Sequence, residues 1–217
     1  MRPCGLDVAA VTEGEPFCAG VILIVDGRLV LTLNHDHLPE ELDGAALRIG
    51  GVGGGQEPGE TIWQCAAREA REEVGCEVRL VSAPRTYLRE SEGDLRRTRC
   101  RDEIAPLLFE WGPNKTPDEP YAPGLPTGPL LYGAMFLAQP LGRVLPGDVE
   151  GLLLIYPTTW PLIAAQATLG ELVADGATLI ERRRISPVTP VWAFQEESMR
   201  TVCELATRDP ELLAPLR

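Results

Sequence analysis

Two neighbouring hydrophobic runs lie near the start of the chain. The runs Gly20 to Val25 and Arg28 to Leu33 are rich in Val, Ile and Leu, and Asp26-Gly27 separates them. An Asp-Gly pair between two such runs is a strong signal for a tight turn between antiparallel strands. The pattern therefore predicts a β-hairpin over Phe17 to Asn34.

A helical pattern follows a glycine-rich stretch, Gly50 to Gly59, whose backbone can approach other groups closely because few side chains intervene. Thr61 is placed to cap the helix, and Gln64 completes a capping box three residues later. Gly75 is the expected stop. We predict a helix from Thr61 to Val74. The apolar stripe that would pack on a sheet comprises Ile62, Ala66, Ala70 and Val74.

Beyond this helix, short runs of Val, Leu, Tyr and Phe predict further strands of a mixed sheet. These runs are Glu77 to Ser82, Arg85 to Arg89, Pro106 to Trp111, Leu130 to Ala138 and Gly151 to Tyr156. Helices are expected at about 160–209, one starting near Thr168 with a capping box from Glu171 and one spanning Phe194 to Thr207. The order of elements predicts the α/β class with a C-terminal helical extension.

A Pro-rich segment, Pro113 to Pro129, lies between two of the predicted strands. Its prolines fall at every third position from Pro117 onward, a spacing compatible with an extended polyproline II conformation. The simplest interpretation is an extended surface loop, and a lid over an active site or a ligand for a proline-binding module are the alternatives. A lid is favoured over a module ligand because the segment joins strands of the sheet.

Length and composition indicate a single soluble domain spanning residues 1–217. The chain is 44% hydrophobic and 24% charged, and no apolar run approaches the roughly 18 residues that cross a bilayer. The first residues lack the pattern of a signal peptide, so a cytoplasmic location is expected, without a membrane partner. The net charge of -12 disfavours nucleic acid as a partner, because such binding depends on Lys and Arg contacts to phosphate.

The cysteines are interpreted as reduced thiols rather than disulfide partners or zinc ligands. They are scattered, and no two of them form a C-x-x-C pair. The six are Cys4, Cys18, Cys65, Cys76, Cys100 and Cys203.

Three glutamates on the predicted helix supply the candidate chemistry. Glu69, Glu72 and Glu73 stand at positions i, i+3 and i+4, so their carboxylates share one face. Like charges at this spacing destabilise a helix unless a cation offsets them. Carboxylates without Cys or His beside them favour Mg²⁺, with Mn²⁺ as the alternative, and such an ion can bridge to phosphate oxygens and acidify a bound water. The competing interpretation is an ordinary solvated acidic face.

The sequence around these glutamates resembles the Nudix box, G-x5-E-x7-R-E-U-x-E-E-x-G-U, over residues 54–76. The matching fixed positions are Gly54, Glu60, Arg68, Glu69, Glu72, Glu73 and Gly75. The chain departs from the pattern at Ala70 and Cys76, where the family favours large aliphatic residues, and at Val52, where a proline often precedes the paired glycines. The resemblance implies the α/β/α sandwich, with a mixed β-sheet, of the MutT-like Nudix hydrolases.

This resemblance also implies roles for the side chains of the box. The three glutamates would ligate the metal ions, and one of them, Glu73 in the first place, or a loop carboxylate would be the general base. Arg68 and Glu60 would support these carboxylates. The carbonyl of Gly53 would be a further ligand.

A further acidic ligand or base often comes from outside the box in this family. Asp148 and Glu150, in PGDVEG before a predicted strand, are the candidates, and a simple turn is the alternative. The rivals in a charged loop, which would otherwise be solvated, are Glu90, Glu92, Asp102 and Glu103. His35 and His37 are interpreted as part of a polar loop rather than as ligands.

The expected activity is that of a Nudix-type pyrophosphohydrolase acting on a small-molecule nucleotide, and a homodimer is left open. It would hydrolyse, with Mg²⁺, the diphosphate linkage of a nucleoside diphosphate joined to another group. ADP-sugar-like compounds are slightly favoured over damaged nucleoside triphosphates, and a non-catalytic nucleotide sensor or protein-binding module is the alternative. The aromatic residues expected to supply a base-stacking platform are Tyr87, Trp111, Tyr132 or Trp160.

Overall fold

The computed structural model describes residues 5–91, 93–195 and 197–216. Cys4 and Glu92 lie outside the described residues. The strands are β1 (Phe17–Ile22), β2 (Ile24–Val25), β3 (Arg28–Asn34), β4 (Leu47–Gly50), β5 (Val52–Gly55), β6 (Val78–Val81), β7 (Thr86–Glu90), β8 (Arg96–Thr98), β9 (Leu108–Pro113), β10 (Leu130–Pro140), β11 (Gly151–Ile155), β12 (Thr178–Glu181) and β13 (Val191–Trp192). The helices are α1 (Val8–Thr12), α2 (Ile62–Val74), α3 (Trp160–Ala164), α4 (Leu169–Ala174) and α5 (Ser198–Arg208). This mixture of helices and strands confirms the predicted α/β class.

The strands form two mixed sheets. The seven-stranded sheet has the order β5-β1-β10-β9-β7-β8, and β6 also pairs with β10. The six-stranded sheet has the order β12-β11-β3-β4-β13, and β2 pairs with β3. In the first sheet β1 runs parallel to β10 and antiparallel to β5. The mixed pairing expected from the sequence is therefore present, but it is divided between two sheets.

The predicted hairpin turn forms, but it joins β2 to β3 within the six-stranded sheet, and β1 belongs to the seven-stranded sheet. Asp26 and Gly27 have φ values of 50° and 75°, as a tight turn between twisted strands requires. Only two residue pairs close the hairpin, Ile24 with Leu29 and Val25 with Arg28. Strand β1 does not continue this pairing, because it lies between β5 and β10 in the seven-stranded sheet.

Helix α2 begins and ends where the local sequence signals place it. Thr61 and Gln64 form both bonds of the capping box, and Gly75 ends the helix in the left-handed conformation, at φ 66°. The apolar stripe is fully buried and packs on β1 and β5. Because both ends of the helix are fixed, its carboxylates stand at defined positions beside the sheet.

Part of the glycine-rich stretch is a strand rather than a loop. In β5, Gly53 pairs with Gly20 of β1. A Cβ atom on Gly20 would lie 2.4 Å from the carbonyl oxygen of Val52, and one on Gly53 would lie 2.6 Å from that of Ala19. Glycine at these positions therefore allows the two strands to approach each other next to α2.

The C-terminal helices are present with shorter bounds than expected. The helix predicted from Thr168 is α4, with the capping box formed by Glu171. The last helix, α5, begins at Ser198 rather than at Phe194, and the Glu197 side chain caps it by accepting from the Met199 N–H. Its buried face, which includes Met199 and Val202, joins the core over the second sheet.

Two expectations from composition can be compared with the described part of the chain. None of its helices is both long and apolar enough to cross a membrane. Its five cysteines are free, so no disulfide joins any two of them.

Candidate active site

A cleft of about 520 Å³ lies where the end of β5 meets α2, the loop before β11 and the Pro-rich segment. Arg68, Glu69 and Glu73 line it from α2, and Asp148 lines it from the loop before β11. Glu72, the third glutamate of the predicted trio, does not line the cleft, and its side chain is 39% exposed. The acidic face predicted from the sequence is therefore split between the cleft and its rim.

Arg68 forms ion pairs with two glutamates of α2, Glu69 and Glu72, and with Glu60, which precedes the helix. Its Nε lies 2.8 Å from a Glu60 oxygen, and its Nη1 lies 2.8 Å from Glu69 and 2.9 Å from Glu72. Its Nη2 donates to the carbonyl of Gly55 at 2.7 Å, and the side chain is only 12% exposed. The planar guanidinium can hold all these oxygens at once because it presents several donors in fixed directions.

The bonds from Arg68 keep its partner Glu60 charged. Burial opposes ionisation of this carboxyl, but the hydrogen bonds from Arg68 and from the Glu57 N–H outweigh burial and lower the pKa of Glu60. The roles as supports that the resemblance implied for Arg68 and Glu60 agree with these contacts.

Glu73 is the most buried carboxyl of the box, with only 8% of the residue exposed. It accepts a hydrogen bond of 2.7 Å from the N–H of Gly53. Burial is the largest cause that raises the pKa of Glu73 to about 8, and the charges of Glu69 and Asp148 act in the same direction. A carboxyl with a pKa in this range can exchange a proton near neutral pH, which is what a general base requires.

Glu69 lies between Glu73 and the Arg68 network. A Cβ atom on Gly54 would come within 2.6 Å of both Glu69 carboxylate oxygens, so only glycine leaves room for this side chain. Burial raises the pKa of Glu69, Arg68 opposes that shift, and Glu72 and Asp148 reinforce it. Steric exclusion by the Glu69 carboxylate therefore explains why this position of the box is glycine.

The loop before β11 is fixed to the C-terminal end of α2. The N–H groups of Leu145, Gly147 and Asp148 donate to the carbonyls of Val74, Glu73 and Glu72, at 3.1, 2.9 and 3.0 Å. These three carbonyls belong to the last turn of the helix, whose acceptors have no partners within the helix itself. A Cβ atom on Gly147 would lie 1.8 Å from the Glu72 carbonyl oxygen, so no side chain fits there. This docking holds Asp148 in the cleft.

Glu150, the other candidate outside the box, does not line the cleft. Its N–H donates to the Leu33 carbonyl at 2.9 Å, and its own carbonyl accepts from Arg182 at 3.1 Å. These bonds place Glu150 between the two strands that flank β11. Of the two acidic residues in this loop, the structure brings only Asp148 to the glutamates.

The other acidic candidates for a further ligand or base also lie away from the cleft. Those within the described residues are Glu90, Asp102 and Glu103. Asp102 accepts from the Val8 N–H at 2.7 Å, which places it at the start of α1. His37 lines the cleft and His35 does not.

The donors facing the cleft fit a hard divalent cation in their chemistry. Glu69, Glu73 and Asp148 offer only oxygen atoms, and the charge of Asp148 raises the pKa of both glutamates, a repulsion that a divalent ion would relieve. Within residues 5–91, 93–195 and 197–216, no three His, Cys, Asp or Glu side chains already converge as a metal site would require.

None of the four aromatic residues expected to stack on a base lines the cleft. Trp160, for example, is 6% exposed and belongs to the core. The aromatic residue that the structure brings to the cleft is Tyr121, in the Pro-rich segment, with 82% of its surface exposed. Periodicity could not identify it, because its position depends on where this segment lies over the sheet.

Residues 16–121 match the family model described as the NUDIX domain. The chain carries a NUDIX domain. The match includes β1 to β5, all of α2 and the first part of the Pro-rich segment. It confirms the NUDIX domain expected from the Nudix box.

Several solved structures resemble this Nudix chain at low sequence identity. A Nudix hydrolase from Nitrosomonas europaea shares 14% identity, covering 89% of this chain and 73% of its own, at a TM-score of 0.42. An ADP-ribose pyrophosphatase from Streptococcus suis shares 10%, covering 89% and 92%, at a TM-score of 0.39. The dihydroneopterin triphosphate pyrophosphohydrolase of E. coli shares 16%, covering 71% and 86%, at a TM-score of 0.39. No curated protein is significantly similar in sequence to this chain.

Proposed function

We propose that the protein hydrolyses the diphosphate linkage of a nucleoside diphosphate joined to a second group, with Mg²⁺ or Mn²⁺ as cofactor. Glu69, Glu72 and Glu73 are the proposed ligands, with the Gly53 carbonyl as a further one. The bound cation would supply charge neutralisation for the phosphate oxygens and a more acidic water. Asp148 is the acidic residue that we add to this set from outside the box.

The observation that carries the proposal is the burial of Glu73 against the Gly53 N–H, beside Glu69 and Asp148. A protein with a net charge of -12 gains nothing from burying like charges together unless a cation or a proton joins them. A diphosphate brings further negative charge, so cations are needed to hold it against these side chains.

The cleft, of about 520 Å³, has room for a nucleotide, and its volume does not separate the two substrate classes expected from the sequence. We keep the order expected from the sequence, with ADP-sugar-like compounds ahead of damaged nucleoside triphosphates. Arg68 and Glu60 act in this scheme as positioning residues, because Arg68 holds Glu69 and Glu72 while Glu60 holds Arg68.

The proposal predicts that Glu73→Gln lowers kcat by about 10² to 10⁴, the range expected for loss of a positioned base. The amide keeps the size of the side chain and an oxygen for the Gly53 N–H, so the fold should be retained. Release of phosphate products from ADP-ribose and from nucleoside triphosphates with Mg²⁺ is the measurement. Glu77→Gln is the matched control, since this side chain is 65% exposed and outside the cleft. Near-normal turnover by Glu73→Gln would rule out the proposed role.

The second candidate function is a Nudix-fold nucleotide sensor or protein-binding module without turnover. The observation in its favour is that Arg68 already neutralises Glu69 and Glu72. A mixed panel of dinucleotides, nucleotide sugars and triphosphates with Mg²⁺ separates the two functions. A new monophosphate product supports the hydrolase, and stoichiometric binding without product supports the sensor.

A further inference from the structure

The Pro-rich segment is anchored at several points beside the candidate active site. At its base the N–H and the side-chain amide of Asn114 donate to the carbonyls of Pro129 and Gly128, both at 2.9 Å. Farther out, the Leu125 N–H donates to the Ala122 carbonyl at 3.1 Å. Gly124 lies against Pro58, since a Cβ atom there would be 3.6 Å from Pro58 Cγ. The two ends of the segment are therefore joined to each other, and its outer part rests on the Pro58 side chain in the loop before α2.

These anchors place Tyr121 at the wall of the cleft. A Cβ atom on Gly55 would lie 3.7 Å from the Tyr121 ring, an ordinary contact distance. The carbonyl of Gly55 in turn accepts from Arg68, so the ring stands one residue away from the network that holds the glutamates. Tyr121 is nevertheless 82% exposed.

The exposure of this ring is unusual for its surroundings. Among the described residues that line the cleft, Tyr121 is the single Phe, Tyr or Trp, and the rest of the lining is dominated by charged groups, polar groups and glycine. No described aromatic ring or cation lies against its faces. A large apolar ring left open beside a polar cleft can bury its surface against a planar group of a ligand.

We infer that Tyr121 is a substrate-positioning residue that stacks on the nucleobase while the diphosphate lies against the α2 carboxylates. This inference rests on the proposed function and specifies it, because it requires a ligand that carries a base. The tyrosine takes no part in the chemical step. Its loss should therefore weaken binding and leave kcat nearly unchanged.

The test compares ADP with inorganic pyrophosphate, which has a diphosphate but no base. With Mg²⁺ present, Tyr121→Ala should weaken ADP binding measured by calorimetry by roughly fivefold to a hundredfold, the scale of one base–aromatic stack. Pyrophosphate binding should stay the same. Tyr121→Phe should bind ADP like the unmodified chain, because the ring and not the hydroxyl makes the contact. With ADP-ribose as substrate, Tyr121→Ala should raise KM and leave kcat within about threefold.

The matched control is Tyr156→Ala, a tyrosine that is 42% exposed, lies against Arg28 and is outside the cleft. It should leave ADP binding unchanged. The inference is overturned if ADP does not bind the unmodified chain, if Tyr121→Ala binds ADP normally, or if the same variant loses pyrophosphate equally. Because the binding arm needs no turnover, a chain that binds ADP through Tyr121 but hydrolyses nothing would overturn the proposed function alone.

Discussion

Two acidic side chains of α2 are buried in different electrostatic surroundings. Glu69 lies beside the guanidinium of Arg68, whose charge offsets part of the cost of burial. Glu73 accepts the Gly53 N–H and forms no ion pair within the described residues, and burial raises its pKa to about 8 although Arg48 acts in the opposite direction. Of these two carboxyls, Glu73 is consequently the one whose charge costs the fold more when no cation is bound.

This difference predicts a pH dependence of stability for the metal-free protein. The pKa of Glu73 is raised from 4.5 in the unfolded chain to about 8 in the folded one, so the favourable contribution of the protonated form is complete below about pH 4.5. It is lost as the pH rises to about 8, at about 1.4 kcal/mol per pH unit in the limit of a single independent group. Glu73→Gln cannot lose a proton. In EDTA, the free energy of unfolding of this variant should exceed that of the unmodified protein by a margin that grows by a few kcal/mol across this window.

Denaturant unfolding at several pH values measures this margin. Comparing the two proteins at each pH cancels the titration of all other groups. Addition of Mg²⁺ should reduce the margin, since a cation offsets the buried charge. Parallel stability curves in EDTA would contradict the assigned shift.

The C-terminal end of α2 positions the loop before β11 by backbone bonds alone. Three successive carbonyls of the helix accept from this loop, and Gly147 fits only because it has no side chain. Asp148 follows directly, so its place in the cleft depends on that fit. A change at Gly147, the residue before Asp148, should therefore disturb the site without touching any acidic group.

Gly147→Ala is the corresponding prediction. The new Cβ would overlap the Glu72 carbonyl oxygen, at 1.8 Å, and the loop must move away from the helix. We expect a loss of about 1–3 kcal/mol in the free energy of unfolding and a fall in kcat/KM of roughly tenfold or more. Gly142→Ala is the control in the same connection, because its Cβ would meet only Cys76 Cβ, at 3.3 Å. Equal effects of the two variants on kcat/KM would refute the positioning role of Gly147.

The elements that were predictable from sequence are those with local signals. Helix α2 could be bounded because Thr61 and Gln64 specify its start and Gly75 specifies its end, each by a local signal. Strand β5 could not, since glycine has a poor strand propensity and the pairing of Gly53 with Gly20 is a contact between distant parts of the chain. For the same reason the sequence left Asp148 and Glu150 equal, and only the docking of their loop on α2 separates them.

The whole molecule carries a net charge of -12, which opposes the approach of any anionic ligand. Arg48 and Arg68 line the cleft, and Arg68 is already engaged by carboxylates. Attraction between the protein and a nucleotide should therefore depend on divalent ions more than on the side chains of the chain itself.

This balance predicts an unusual response to salt. In EDTA, ADP binding should strengthen several-fold between about 0.01 M and about 0.15 M NaCl, because salt screens the repulsion between like charges. With Mg²⁺ the dependence should be smaller. Calorimetric titration at each salt concentration measures both. Weaker ADP binding at higher salt in EDTA would show that the arginines, and not the net charge, dominate the electrostatic contribution to ADP binding.

The Asp26-Gly27 turn offers a practical route into this architecture. Both residues are exposed, and the turn is held by two residue pairs, while β1 and β3 are secured by other neighbours in separate sheets. A fluorophore or a protease site inserted at the turn would thus disturb the short pairing of β2 with β3, while the pairs of β1 with β10 and of β3 with β11 stay in place.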